Sequence, residues 1–291
     1  MTISALMVKD LRERTGAGMM ECKKDLVEAD GDLDAAAEVL RISGQANADK
    51  KASRIAADGR VVVAQEGNRA VVVEVNSETD FVAKDENFVI FAEAVAAAAL
   101  ASGTTDAAAL AGEKMADGRT VEEARTDLIG KVGENISVRR IGQIESTGII
   151  ASYTHGARIG SVVAIDGGDE ALGRDVAMHV AASNPMCIDE TGIPAETLEN
   201  ERRILTEQAQ DSGKPAEIIE KMVAGRLNKY LKEITLLGQD FVKDPDVSVG
   251  KLLSAADATV TSFVRFEVGE GIEKKEDNFV EEVMAQVKGA S

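Results

Sequence analysis

The sequence predicts an α+β protein: a small helical module followed by a core of two related halves with antiparallel sheets. Three observations carry this. Runs of β-branched residues alternate with alanine-rich helical stretches, a strand–turn–strand pattern occurs twice, and the second copy contains extra residues with helical periodicity. With 291 residues, 44% hydrophobic and 29% charged, the chain is long enough for several domains and a sizeable core.

Residues 1–45 read as three short helices. Ser4 is placed to cap a helix carrying Ala5, Val8 and Leu11. "TGAG", Thr15 to Gly18, is a tight turn from which Met19 opens a second helix. Asp32 caps a third helix holding Leu33, Ala36, Val39 and Leu40, and Gly44 stands where a helix stop belongs. Residues 46–58 are polar and alanine-rich, a linker or a solvated helix.

The first half of the core, 59–146, opens with "VVVAQEGNRAVVVEV" from Val61, a strand, a short turn and a strand. A helix over Phe88–Leu100 and a closing strand "ISVRRIGQI" follow. The second half, 147–272, repeats the order with "IIASYTHGARIGSVVAI" from Ile149, a helix over about Glu170–Ala182, and "VTSFVRFEV". Gly67 and Arg69 match Gly156 and Arg158 at an offset of 89, whereas Val138-Arg139 match Val264-Arg265 at an offset of 126. The 37 extra residues are an insertion over about 195–232. It reads as two helices around "SGKP", one with a stripe of Leu198, Leu205 and Ala209, the other with Ile219, Val223, Leu227 and Tyr230. Facing stripes and a short connection predict an antiparallel coiled-coil hairpin. Residues 273–291 place Phe279, Val283 and Val287 on one face of a C-terminal helix.

The net charge is −18, which disfavours binding to phosphate backbones and suits a basic or metal-bearing protein partner, or solubility alone. Cys22 and Cys187 suggest no disulfide framework and fit a reducing, cytoplasmic setting. The N-terminus has no basic start with an apolar core behind it, and no apolar run reaches membrane-spanning length, so neither a signal peptide nor membrane binding is expected. Neither a Walker A sequence nor a G-x-G-x-x-G after a strand is present, so no nucleotide binds by those routes, and no cofactor is expected. The two histidines, His155 and His179, lie 24 residues apart without metal-ligand companions. His179 sits among helical core residues and reads as a packed histidine. His155 occupies a hairpin turn and reads as exposed.

"NSETDFVAKDENF", Asn76 to Phe88, places an aromatic in a polar loop of a chain with seven Phe, two Tyr and no Trp. In one reading Thr79 or Asp80 caps the next helix, and Phe81 and Val82 are its first core residues. In the other, Asp80 and Phe81 form a probe at the end of a buried strand, a carboxylate beside an aromatic anchor. Asp80 as a general base lacks a second catalytic group in the surrounding sequence. Met19 and Met20 open a helix where neighbours point about 100° apart, so one of them is a soft surface contact.

These stretches resemble the bacterial elongation factor Ts family, guanine nucleotide exchange factors for elongation factor Tu. "LRERTGAGMMECKKDL" and "NSETDFVAKDENF" are similar to the family's two most specific motifs. "SYTHGARIG", "AMHVAAS" and "FVRFEVGEGIEKKE" follow in the family's order, and the match spans about Val8 to Phe279. Asp25 stands where the family has a small residue, and residues 101–127 match loosely.

The resemblance implies a ubiquitin-associated-like three-helix domain, a duplicated core, a coiled-coil insertion and a C-terminal helical module. It implies release of GDP from elongation factor Tu with no covalent step, the chain engaging both the GDP-bound and nucleotide-free partner. By the same resemblance Thr79, Asp80, Phe81 and Val82 act at the partner's Mg²⁺ and nucleotide site, with Phe81 as a wedge. Leu11, Arg12, Met19 and Met20 form a second handle, and His155 meets another partner domain. Two rival classes are an adaptor built on the N-terminal module, which leaves the core unused, and an acid/base enzyme built on Asp80.

Overall fold

The computed structural model describes residues 3–210 and 215–273. The expected C-terminal helix and the Ser212–Lys214 turn lie outside the described residues. Helix α1 (Ala5–Thr15) is capped by Ser4, whose hydroxyl accepts from the Met7 N–H. Gly16, at φ +70°, reverses the chain, and α2 (Met19–Glu28) begins three residues later. Asp32 caps α3 (Leu33–Lys51) through the Asp34 and Ala35 N–H groups. Val8, Leu11, Cys22, Leu26 and Ala36 close a small core among the three helices, while Ala5 faces solvent.

Gly44 does not stop α3. The helix runs seven residues further, to Lys51, so of the two readings of the following segment the helical one holds that far. The extension is not merely solvated. Ala48 is buried in the core of the sheet layer that follows.

Strands β1 (Asp58–Glu66) and β2 (Arg69–Ser77) form the first antiparallel hairpin. Two helices follow at once, α4 (Asp80–Lys84) and α5 (Glu86–Ser102), then a single turn α6 (Ala107–Leu110) and α7 (Val121–Val132). Thr120 and Glu123 start α7 with a reciprocal capping box. Strand β3 (Ser137–Glu145) returns beside β2, giving the order β1-β2-β3. Helix α7 is also what holds the far end of α3. The Thr126 hydroxyl donates to Gln45 Oε1 (3.3 Å), and Lys51 Nζ to the Ile129 carbonyl (3.4 Å).

The second hairpin is β4 (Ile149–His155) and β5 (Ile159–Asp166), followed by α8 (Glu170–Ser183). Helices α9 (Ala195–Gln210) and α10 (Ala216–Ile234) then pair through Leu205, Ala209, Val223, Leu227 and Leu231. The ends of this pair are stitched together: the Met186 N–H donates to the Ile234 carbonyl and the Leu236 N–H to the Cys187 carbonyl. A short hairpin of β6 (Asp240–Phe241) and β7 (Asp244–Ser248), helix α11 (Val249–Ala255) and strand β8 (Thr259–Glu267) complete the described chain. Strand β8 pairs with β5, giving β4-β5-β8. In both three-stranded sheets the central strand is the second of its hairpin, and its register to the third strand shifts near its middle or end.

The two sheets face one another between outer helices. Val71, Val73 and Val75 point toward α5, while Ala70 and Val72 meet Val162 and Ala164 of the other sheet. Strand β2 is therefore buried on both faces, which is why it reads as an almost unbroken apolar run. The approach is close. A Cβ on Gly160 would lie 2.6 Å from Val61 Cγ1, and one on Gly142 would lie 2.5 Å from Val264 Cγ1. No helix among the described residues is long and apolar enough to cross a membrane.

Candidate functional site

The buried strand β2 ends at Ser77, and within three residues the chain turns outward into α4. Of the two candidate caps, Thr79 does the work: its backbone is extended and its hydroxyl accepts from the Val82 N–H (3.4 Å). Asp80 is the first helical residue, and Lys84 donates to its Oδ2 at 2.6 Å, one turn on. The helix ends after five residues because Asp85 leaves the helical region (φ −63°, ψ 136°) and caps α5 through the Asn87 N–H. A side-chain hydrogen bond from Asn87 holds the Asp85 carboxyl below its usual range.

This short helix sorts its side chains. Ala83 is buried in the first sheet's core and Val82 packs at its edge. Phe81 points the other way and is 82% exposed. Its placement as the first core residue of a helix is therefore corrected: at about 100° per residue, seating Val82 and Ala83 inward turns Phe81 out. The "polar loop" of the sequence is a helix, and the aromatic is on its outer face.

The base of α4 is held by the loop between α7 and β3. Glu134 Oε1 accepts from the Thr79 hydroxyl (2.6 Å), and its Oε2 from the Thr79 N–H (3.0 Å). In return Glu78 Oε1 accepts from the Asn135 N–H (2.6 Å). Asn135 is buried and donates through Nδ2 to the Arg54 carbonyl (2.8 Å), which reaches the segment between α3 and β1. The sequence reading missed Glu134 and Glu78. The available signal was the pair of acidic residues at the end of each element, Glu78 after β2 and Glu134 after α7.

The other candidates lie on separate elements. Met19 and Met20 open α2 and are 60% and 76% exposed, so both, not one, are surface residues. Leu6 and Val27 add exposed apolar area to the same module, and Arg12 is exposed on α1. Leu11 is corrected. It is fully buried in the three-helix core, because it faces the same way as Val8 one turn earlier, and it offers no surface to a partner. His155 is exposed as expected, but as the last residue of β4, paired with Ile159, not within the turn. Its Nδ1 lies 3.5 Å from the Tyr153 hydroxyl.

His179 is fully buried on α8. Its Nε2–H donates to Gln239 Oε1 (2.9 Å), and its Nδ1 accepts from the Val242 N–H (3.2 Å), which defines a neutral ring. Burial pushes its pKa down, against the opposing effect of the Gln239 bond. Among the described residues no group of three or more histidine, cysteine or carboxylate side chains could hold a metal ion. Asp80 and Phe81 present a carboxylate and an apolar ring side by side on a braced support, a surface open to contact.

Comparison with known proteins bears on what that contact is for. The model of the family "Elongation factor TS" matches residues 78–270. Over its full length the chain is 61% identical to an elongation factor Ts of Thioalkalivibrio sulfidiphilus, itself covered in full. It is 59% identical to one of Hydrogenovibrio crunogenus, with 98% of each chain covered, and 58% identical to one of Methylococcus capsulatus, with both covered in full.

Proposed function

The chain belongs to the elongation factor Ts family, and from that premise we propose that it is a guanine nucleotide exchange factor for elongation factor Tu. It binds the GDP-bound partner, promotes GDP release without making or breaking a covalent bond, and leaves a nucleotide-free complex that GTP resolves. Its place of work is the cytoplasm, where translation occurs. The finer architecture belongs to the same reading: α1–α3 as a ubiquitin-associated-like domain, the two sheet layers as duplicated halves, and α9–α10 as a coiled-coil insertion. The shared strand order of the two sheets supports the duplication.

The observation that carries the proposal is Phe81, a large apolar ring held 82% exposed on a short helix at the end of a buried strand. An aromatic in that position gains by leaving water for a pocket between partner helices, and such anchors dominate interface energetics. Asp80 brings a negative charge to the same place. Beside a bound Mg²⁺ it competes with the metal's own ligands.

Exchange is reciprocal coupling: the factor binds the nucleotide-free partner better than the bound one, so each ligand weakens the other. An acceleration of about 10⁴-fold corresponds to roughly 5.5 kcal/mol. One aromatic anchor supplies ~2–4 kcal/mol, so other contacts must contribute. Arg12, Met19 and Met20 on the N-terminal module, and His155 on the second hairpin, are the candidates for them. Leu11 supports the first group from inside the module. Stopped-flow release of fluorescent GDP from elongation factor Tu, with and without the chain, tests the proposal. Release accelerated by orders of magnitude is the expected result, and an unchanged rate overturns it.

A further inference from the structure

We infer that Glu134 is a positioning residue for exchange: with Glu78 it forms a reciprocal carboxylate clamp that fixes the base of α4 and so aims Phe81. The inference rests on the reading of Phe81 as the wedge.

A helix of five residues has no stability of its own, because nucleation costs more than so few hydrogen bonds return. Phe81 adds nothing to its seating, since the ring stands in solvent. On the inner side Ala83, a side chain of one methyl group, is buried and Val82 packs only at the edge of the first sheet's core. A wedge on such a support would yield when pressed. Stiffness must come from elsewhere, and the clamp is where the hydrogen bonds converge.

Two consecutive residues at the end of β2 face two consecutive residues after α7. The Glu134 carboxylate takes the Thr79 N–H and hydroxyl, and the Glu78 carboxylate takes the Asn135 N–H. Each acceptor is a carboxylate oxygen, and hydrogen bonds to carboxylate oxygens are of the stronger kind. Glu134 grips the one residue that also caps α4. The Thr79 hydroxyl donates to Glu134 while accepting from the Val82 N–H, which passes the constraint into the helix at the residue next to Phe81. Ser77 adds a further tie, its hydroxyl donating to the Thr79 carbonyl at 2.9 Å. An ordinary loop stitch would connect the same loops without seizing the cap residue at both its N–H and its side chain.

The test measures GDP release from elongation factor Tu by the full chain in two backgrounds. Glu134→Ala should stay folded, with a melting temperature lowered by a few degrees at most, and slow release by about tenfold to a hundredfold, the scale of a ~1 Å misplacement. In a Phe81→Ala background the same change should slow release less than about twofold, because Glu134 acts through Phe81. If Glu134→Ala fails to fold, Glu134→Gln, which keeps one of the two acceptor oxygens on Thr79, takes its place with the same expectation in both backgrounds. Release at full rate in Glu134→Ala, or slowing by the same factor in both backgrounds, overturns the clamp. Full-rate release by Phe81→Ala alone overturns the wedge reading instead, so the two failures are distinct.

Discussion

The guanidinium of Arg140 lies over the ring of Phe266, 4.3 Å from its centre, and so links the third strand of one sheet to the third strand of the other. The same side chain donates through Nε to Glu74, a carboxylate with no exposed surface, at 2.5 Å. Arg139, Asn76 and the Gly269 N–H fill the rest of that carboxylate's acceptor positions. Burial alone would push the Glu74 pKa up, but these hydrogen bonds outweigh it and hold the group below its ordinary value.

Glu74→Gln should therefore destabilise the protein by about 3 kcal/mol, at the low end for a broken buried pair because both arginines keep some access to water. The native advantage is fully present above the unfolded carboxylate value of 4.5 and is lost as pH falls through the lower folded value. Urea midpoints of the two proteins should differ at pH 7 and converge well below pH 4.5. Parallel curves across that range would show that the Glu74 charge contributes nothing.

Phe81→Ala should leave stability within about 0.5 kcal/mol, as expected where a side chain is exposed. GDP release should be strongly slowed. Thermal melts and exchange rates measured on the same samples decide it. A melting loss of several degrees with normal exchange would return Phe81 to the core.

Asp80→Asn separates charge from shape. Thr79 rather than Asp80 is the cap, so the substitution removes the charge that pairs with Lys84 and leaves a side-chain oxygen and the cap in place. Exchange should slow at millimolar Mg²⁺, and the defect should shrink when a chelator removes the metal. A variant at full rate in millimolar Mg²⁺ leaves Asp80 without a charge role.

His179 should make the second sheet layer sensitive to mild acid. Its neutral ring accepts from the Val242 N–H, and a proton on Nδ1 would turn that acceptor into a second donor. Its folded pKa lies below the unfolded 6.5, so the unfolded chain takes up the proton first. Stability should be full above about pH 6.5 and decline as pH falls toward the folded value. In His179→Gln the decline over this interval should be smaller, as read from melting temperatures at pH 7 and pH 5.5.

Gly44→Ala should stabilise the protein by about 0.5–1 kcal/mol, the usual gain inside a helix. The new methyl would lie 3.6 Å from Thr126 Cγ2, an ordinary contact. A lower denaturation midpoint would mean that α3 and α7 need the closer approach glycine permits.

Local chemistry was legible from residues alone. Ser4 and Asp32 announce helix starts, and Thr79 or Asp80 a third, because a cap needs only a side-chain oxygen and the next two or three N–H groups. The two hairpins follow from β-branched runs around Gly67 and Gly156, and the helical pair from stripes such as Leu205–Ala209 and Val223–Leu227. The length of α3, the burial of Leu11, the outward face of Phe81 and the grip of Glu134 on Thr79 were decided by the tertiary structure. Gly44 stays helical because α7, about 80 residues on, holds that end of α3. Leu11 sits in a motif that resembles a contact surface, yet only the packing of three helices shows that it faces inward. Phe81 turns out because Val82 and Ala83 find the core first, and Glu134 reaches Thr79 across 55 residues of sequence. Caps and periodicity are set by neighbours along the chain, whereas exposure and long-range hydrogen bonds depend on which distant segment fills the space, and that exists only once the sheets have closed.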